Sequence, residues 1–427
     1  MNESAPARRF RLTAPVRVLM ALLLGAAAGM ALSHWDKPLA LHIAEIADPI
    51  GQLWINALKM TVVPLVTALV IVGVNTASNA ATSGRTARNA IVVFAVLLVA
   101  AAAFAAVVTP ALLSLVPDDS STISAFRALA AQHAAQTHAA PPTATQWVVS
   151  LIPDNVLKVA ADNAMLPLVV FAMFFGFALS KQEEERRARI LDIVKTIGDT
   201  MITIIQWVLW VAPLGVFALI FVVCARVGLS ALGALGYYIV TMSALYILIT
   251  LLMYVVVALA ARENLRRFAA ALIPVQIIAA STSSSIASLP TMIDSARNRL
   301  GYPASLTSLV LPMAVSLFRI TSPAQYIGVA CFIAWLYGID ITASQYAVAI
   351  LLAAAMSMGS SGLPGQAVFM TNNMPVTQSL GLPVEPLGML LAVDNLPDVF
   401  CTIGNTTADM AATAIVARKM TEQPDEA

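Results

Sequence analysis

Charge is what this sequence has least of. Only 11% of its 427 residues are charged and 59% are hydrophobic, where soluble domains carry about 25% charged residues. With a mean hydropathy of +0.83, the composition excludes a soluble globular protein and implies an integral membrane protein. The net charge of +1 gives no hint of nucleic-acid binding, and no nucleic-acid partner is expected. Cysteine is nearly absent: Cys224, Cys331 and Cys401 are scattered and odd in number, so there is no disulfide framework and no CxxC metal site. The four histidines, His34, His42, His133 and His138, fall in loops or at membrane edges. An intramembrane serine hydrolase would need a base beside its serine, so that enzyme reading fails, and no organic cofactor is expected. A cleavage site is missing as well. Arg8, Arg9, Arg11 and Arg17 precede a long apolar run that reads as a first membrane span.

What is present in quantity is apolar runs long enough to cross a bilayer. They cover residues 14–33, 47–75, 89–116, 163–180, 197–224, 229–260, 303–337 and 384–417. Several exceed the ~20 residues a perpendicular helix needs, so tilting or breaking is expected. Two further apolar segments, 268–295 and 343–375, are interrupted by Ser, Gly and Pro. Their centres, STSSSIASLP (281–290) and GSSGLPGQA (359–367), read as tips of re-entrant hairpins. Irregular backbone at membrane depth is tolerated only where protein or water satisfies it.

The basic residues test this topology. With the N-terminus inside, Arg85, Arg88, Arg186, Arg187, Arg189, Arg262, Arg266, Arg267, Arg297, Arg299, Arg418 and Lys419 all fall on the cytoplasmic side. Lys37, Arg127, Lys158 and Arg226 fall outside. The positive-inside rule holds only if both interrupted segments return to the side they came from. Broken helices meeting at a polar midplane, as an inverted pair, are a pointer to a transport site. The polar stretch 117–146 is an external loop, and EEERRAR (183–189) is a solvated cytoplasmic turn.

The chemistry concentrates near the C-terminus, in LLAVDNLPDVFCTIGNTTADMAATAIVARK. At about 100° per residue, Asp394, Asp398, Cys401, Thr402, Asn405 and Asp409 share an arc of roughly 100° on one helix, with Val393, Val399, Ile403 and Met410 opposite. A carboxylate at membrane depth costs about 2.5–3.5 kcal/mol. Three on one stripe therefore require cations, polar partners or water. A channel could line its pore this way, but two gates on opposite sides fit alternating access better. At the first tip, Ser283, Ser284, Ser285 and Ser288, with freed N–H groups at a helix start, suit a carboxylate. At the second, Gly359, Gly362 and Gly365 allow close backbone approach, Pro364 interrupts the helix, and freed carbonyls suit a hard cation.

These segments resemble the dicarboxylate/amino acid:cation symporters, a family that includes the excitatory and neutral amino-acid transporters. The resemblance runs through LKMTVVPLVTALVIVG (58–73), SLIPDNVLKVAADNAMLPLVVFAMFFGFALS (150–180), WVAPLGVFALI (210–220), STSSSIASLP (281–290), SSGLPGQA (360–367) and NTTADMAATAIVARK (405–419). It implies an all-α integral membrane fold of eight transmembrane helices plus two re-entrant hairpins, with inverted repeats, a homotrimer and elevator-type movement. It further implies scaffold spans 1–2 in 1–88, span 3 of the transport domain in 89–116, scaffold spans 4–5 in 147–224, the transport-domain core in 225–420 and a tail at 421–427. Both termini would be cytoplasmic, in a bacterial inner membrane surrounded by lipid.

Carried over by position, Ser284 and Ser285 would meet the substrate carboxylate, with Gly362, Pro364 and Gly365 across from them. Asp398 would bind the amino group, and Thr402 and Asn405 would add hydrogen bonds. Asp409, Asn405, Ser357, Met358 and Ser360 would hold sodium as the coupling ion, and Asp394 would support from behind. Two departures stand out. Cys401 occupies the position of the arginine that pairs with the side-chain carboxylate in acidic-substrate members, so the resemblance implies a neutral amino acid. In span 7, where the family usually carries Asn-Met-Asp-Gly-Thr, this chain reads RITSP (319–323), and the hydroxyl positions expected in span 3 fall near Leu98 and Val99. One cation site therefore looks dismantled, which implies reduced sodium stoichiometry or proton coupling. Arg319 is either an internal cation near Asp409 or a substitute receptor for an acidic or dicarboxylate substrate.

Overall fold

The computed structural model describes residues 14–82, 84–116, 149, 152–162, 164–227, 230–359 and 365–422. The expected external loop, the extreme tail, and Ser360, Gly362 and Pro364 lie outside the described residues. Those described form helices and no strand. In chain order the helices are α1 (Ala14–Trp35), α2 (Lys37–Thr82), α3 (Arg85–Leu113), α4 (Val156–Ala161), α5 (Met165–Leu179), α6 (Glu184–Trp210), α7 (Ala212–Val227) and α8 (Ser230–Val256). They continue with α9 (Leu265–Thr282), α10 (Ser285–Asp294), α11 (Ala304–Leu317), α12 (Thr321–Tyr337), α13 (Ala343–Gly359), α14 (Gly365–Ser379), α15 (Pro386–Val393) and α16 (Asn395–Glu422).

Six helical stretches among the described residues are long and apolar enough to cross a membrane, and a bent pair raises this to seven. The expected fourth span is the 15-residue α5, about 22 Å at 1.5 Å per residue and so shorter than a ~30 Å hydrocarbon core. The expected fifth span is the bent pair, α6 and α7, which meet at 58°. Pro213 explains the bend, because it has no N–H for the Leu209 carbonyl. The indole of Trp54 donates to the nearby Val208 carbonyl at 3.1 Å and fixes α2 against the bend.

Both interrupted segments do turn back. In the first, Ser283 takes a left-handed conformation (φ 47°) that reverses the chain between α9 and α10. Arg267 Nε then donates to the Arg299 carbonyl at 2.9 Å, and Arg299 donates to the Ala270 carbonyl, so the two arms close at their base. In the second, Gln345 at the start of α13 donates to the Leu380 carbonyl just beyond α14. A single traverse, α11 plus α12 over Ala304–Tyr337, separates the two bases, so the hairpins enter from opposite sides.

That traverse is broken, which the uninterrupted apolar run 303–337 did not suggest. Pro323 lacks the N–H that would meet the Arg319 carbonyl. The freed carbonyl accepts the Ser322 N–H at 3.0 Å and the Ser357 hydroxyl at 3.2 Å. The last expected span also has a joint, at Asp394 between α15 and α16, where Pro397 leaves the Val393 carbonyl without its helical donor.

Packing sorts the helices into two groups. One gathers α1, α5, α6 and α7 around α2. Its tightest seam carries Gly25 and Gly29 of α1, where an added Cβ would lie 2.5 Å from Ile220 and 2.7 Å from the Phe221 carbonyl. Small residues four apart permit this approach within a membrane. The other group gathers α8, α9, α11 and α3 around α16, with α12 filling between α3 and α13. In its spanning window α16 is 83% buried, against 33–50% for the other five. A helix enclosed on all sides can carry polar groups that a lipid-facing helix cannot.

Candidate functional site

The enclosure revises the expected geometry of α16. Val393 and Met410, read as an apolar back face, are buried like the polar stripe, at 4% and 0% exposure. From Gly404 to Val416 the helix sits in protein on every side, while Leu396 and Phe400 near its start are exposed, and each buried polar residue must find its own partner.

Asp394 finds several. Its Oδ1 accepts the Tyr238 hydroxyl at 2.6 Å, and Gln325 Nε2 donates to Oδ2 at 3.0 Å and to Oδ1 at 3.3 Å. Tyr238 comes from α8 and Gln325 from α12, so the carboxylate ties three helices together. The Tyr238 ring stands edge-on to Phe332, centroids 5.3 Å apart, which fixes the direction of its hydroxyl. Neither partner was anticipated from the sequence. The available signal was weak: Tyr238 and Tyr246, eight residues apart, share one face of an otherwise apolar helix.

One turn on, Asp398 is half-buried and next to Cys401, with the Arg319 guanidinium as the basic group acting on both. Thr402 donates its hydroxyl to the Asp398 backbone carbonyl at 3.0 Å. Asn405 Oδ1 accepts both the backbone N–H of Thr321 at 3.1 Å and its hydroxyl at 2.9 Å. Thr321 Oγ1 also lies 3.0 Å from Cys401 Sγ. Both lone pairs of the Asn405 carbonyl oxygen are thus occupied, and its remaining capacity is in Nδ2, 3.7 Å from Cys401 Sγ. The start of α12 is held to α16 by this contact. Gly404 makes it possible, since an added Cβ would meet Thr321 Cγ2 at 2.8 Å.

Asp409 differs. It is wholly buried, and neither carboxylate oxygen has a hydrogen-bond partner among the described residues. Arg319, half-buried at the α11–α12 break, is the basic group acting on it.

The hairpins bring the remaining candidates. Ser284 caps α10, its Oγ accepting the Ala287 N–H at 3.2 Å. The Ser285 and Ile286 N–H groups in the first turn are left without an intrahelical acceptor, beside an exposed tip. Ser357, near the tip end of α13, bonds the Arg319 carbonyl and so sits level with the break. Met358 is half-buried next to it, and Gly365 opens α14. The chain thus places the α11–α12 break, the second hairpin and the middle of α16 at one level.

Known proteins resemble this chain along nearly its whole length. The family described as the sodium:dicarboxylate symporter family matches residues 15–419. A proton/glutamate-aspartate symporter of Escherichia coli (strain K12) is 28% identical over 408 residues, covering 94% of this chain and 92% of the relative. A proton/sodium-glutamate symport protein of Bacillus subtilis (strain 168) is 24% identical, covering 96% and 94%. A C4-dicarboxylate transport protein of Rhodopseudomonas palustris (strain BisB18) is 28% identical, covering 94% and 86%.

Proposed function

The chain belongs to the sodium:dicarboxylate symporter family, a family of membrane transporters and not of enzymes, and from that premise we propose that it carries a neutral amino acid, driven by a cation gradient, across a bacterial inner membrane. The observation that carries this reading is the charge balance at the middle of α16. Asp398 and Asp409 face one guanidinium, Arg319, and Cys401 adds no positive charge. One negative charge is therefore in excess before any ligand arrives. A zwitterion suits that field, with its ammonium on Asp398 and its carboxylate on the free N–H groups of the Ser284–Ser285 turn. An acidic amino acid would bring a second carboxylate for which no unshared cation remains.

In this reading Thr402 and Asn405 Nδ2 orient the ligand from α16, and Gly362, Pro364 and Gly365 close over it from the second tip. Ser357, Met358 and Ser360 are the candidate cation ligands, with sodium or a proton as the coupling ion. Asp394, saturated by Tyr238 and Gln325, is a structural support. The two packing groups correspond to a scaffold (α1, α2, α5, α6 and α7) and a moving body (α3, α8 to α14 and α16). That division supports elevator transport within a homotrimer, with both termini cytoplasmic.

Thermal stabilisation of the purified protein tests the substrate. A ligand that binds only the folded state raises its stability by about 2.7 kcal/mol at a hundred times its Kd. Serine or alanine should stabilise, and aspartate and succinate should not; the reverse result refutes the neutral reading. A second reading is favoured by the relatives, which are named for glutamate, aspartate and C4-dicarboxylates. There Arg319 is the anion receptor, its planar fork matching a carboxylate. Arg319→Met would then abolish acidic-substrate binding and leave neutral ligands unaffected.

A further inference from the structure

We propose that Arg319 is the resident counter-ion of Asp409, so that this carboxylate is neutralised by the protein itself and holds no coupling ion. The inference rests on the symporter reading above and deepens it, by removing one ion from each transport cycle.

A buried carboxylate without hydrogen bonds is among the most costly groups a protein can hold. Asp409 has no hydrogen-bond donor among the described residues, so its ionised form needs a cation. The neighbouring surface does not suit a hard ion, which requires a shell of oxygens. The contact between Thr86 Oγ1 and Met420 Sδ sets the register of α3 against α16. Counting twelve residues along each antiparallel helix brings Leu98 level with residue 408. The α3 face there is Phe94, Leu98, Ala101, Ala102 and Ala105, all buried and none with an oxygen in its side chain. Phe318 closes the same side, its ring stacked on Phe94 at 4.8 Å. On α16 itself, Asn405 Oδ1 is filled by Thr321.

Arg319, by contrast, is anchored beside this place through its backbone, and its charge acts on Asp409 without a bond between them. Thr321, two residues along, is bonded to Asn405, one helical turn before Asp409 on the same face. The Arg319 carbonyl is fixed by Ser322 and Ser357. Its guanidinium retains its proton at any accessible pH, so its charge is permanent. An ion that leaves on every cycle would expose Asp409 each time; a tethered one does not.

The test uses the purified full-length chain without substrate, which keeps it independent of the solute reading. Apparent Tm is measured in sodium and in choline for the wild type, R319M, R319K, D409N and the R319M/D409N double variant. The expected result is a clear loss of Tm in R319M and a smaller one in R319K. The double variant should recover most of that loss, because removing both charges leaves no buried charge unpaired. R319M alone should gain stabilisation by sodium, since its Asp409 is open to an outside ion. Additive losses in the double variant would overturn the proposal, as would sodium stabilising the wild type but not D409N.

Discussion

Asp394 and Asp409 sit about four turns apart on one strongly buried stretch of chain, and their surroundings are opposite. Asp394 receives Tyr238 and Gln325 from two other helices; Asp409 receives no hydrogen bond from the described residues. A residue that holds a fold together by hydrogen bonds is saturated, because each satisfied bond adds stability and an unmade one costs more than it would have gained. Asp409 depends instead on the charge of Arg319. The contrast separates a hydrogen-bonded support from a carboxylate held by charge alone within one stripe.

The largest effect should come from the saturated end. Asp394→Ala removes the acceptor of two buried donors, and each such group left unpaired costs about 1–3 kcal/mol. Unfolding of the purified variant should show a loss near the upper end of that range or beyond, with Asp394→Asn milder because it retains one oxygen. Asp409→Asn leaves the Arg319 charge without its counter-ion and should lose stability too, but Arg319→Met should recover that loss and leave the Asp394→Ala loss unchanged. Recovery at both positions, or at neither, would erase the distinction.

Packing supplies the next effect. Gly404→Ala places a methyl 2.8 Å from Thr321 Cγ2, and overpacking of this kind costs about 1–3 kcal/mol. It also displaces Thr321 from Asn405, so substrate-induced stabilisation should weaken together with Tm. Thr321→Val sharpens the point at lower cost. It keeps the shape and removes the hydroxyl, leaving Asn405 Oδ1 with the backbone N–H alone, a loss of about 0.5–1.5 kcal/mol.

Much of this arrangement was legible in the sequence. The all-helical membrane fold followed from composition, and the two hairpins from Ser, Gly and Pro interrupting apolar segments at 281–290 and 359–367. The polar stripe followed from spacing alone. The partners of the stripe did not, because Tyr238 and Gln325 lie 156 and 69 residues from Asp394 and share no local pattern with it. The span-7 break was hidden in an unbroken apolar run. RITSP stood out as a departure from the resemblance, but its consequence, the freed Arg319 carbonyl taken by Ser357, needs the second hairpin in place. That Val393 and Met410, on the apolar side of the stripe, are buried as well could not be read for the same reason: periodicity shows which residues share a side, and not what that side meets.

The smallest of these effects on stability is expected at a charge pair that is partly exposed. Lys59 of α2 and Glu385, which precedes α15, form an ion pair at 3.5 Å with side chains 31% and 39% exposed. Exposed pairs contribute about 0–1 kcal/mol, and salt screens them, so Lys59→Met should change Tm little and less still at high salt. The pair nonetheless joins the α2-centred group to the chain entering α16, two parts that separate if transport is an elevator movement. Its loss should then alter the initial uptake rate by more than its effect on Tm would suggest, and Glu385→Gln should reproduce the change. If both variants transport like the wild type at low salt, this contact does not open during the cycle and the chain before α15 moves with α2. The boundary between fixed and moving bodies would then lie further along, at the Pro397 joint beside Asp394.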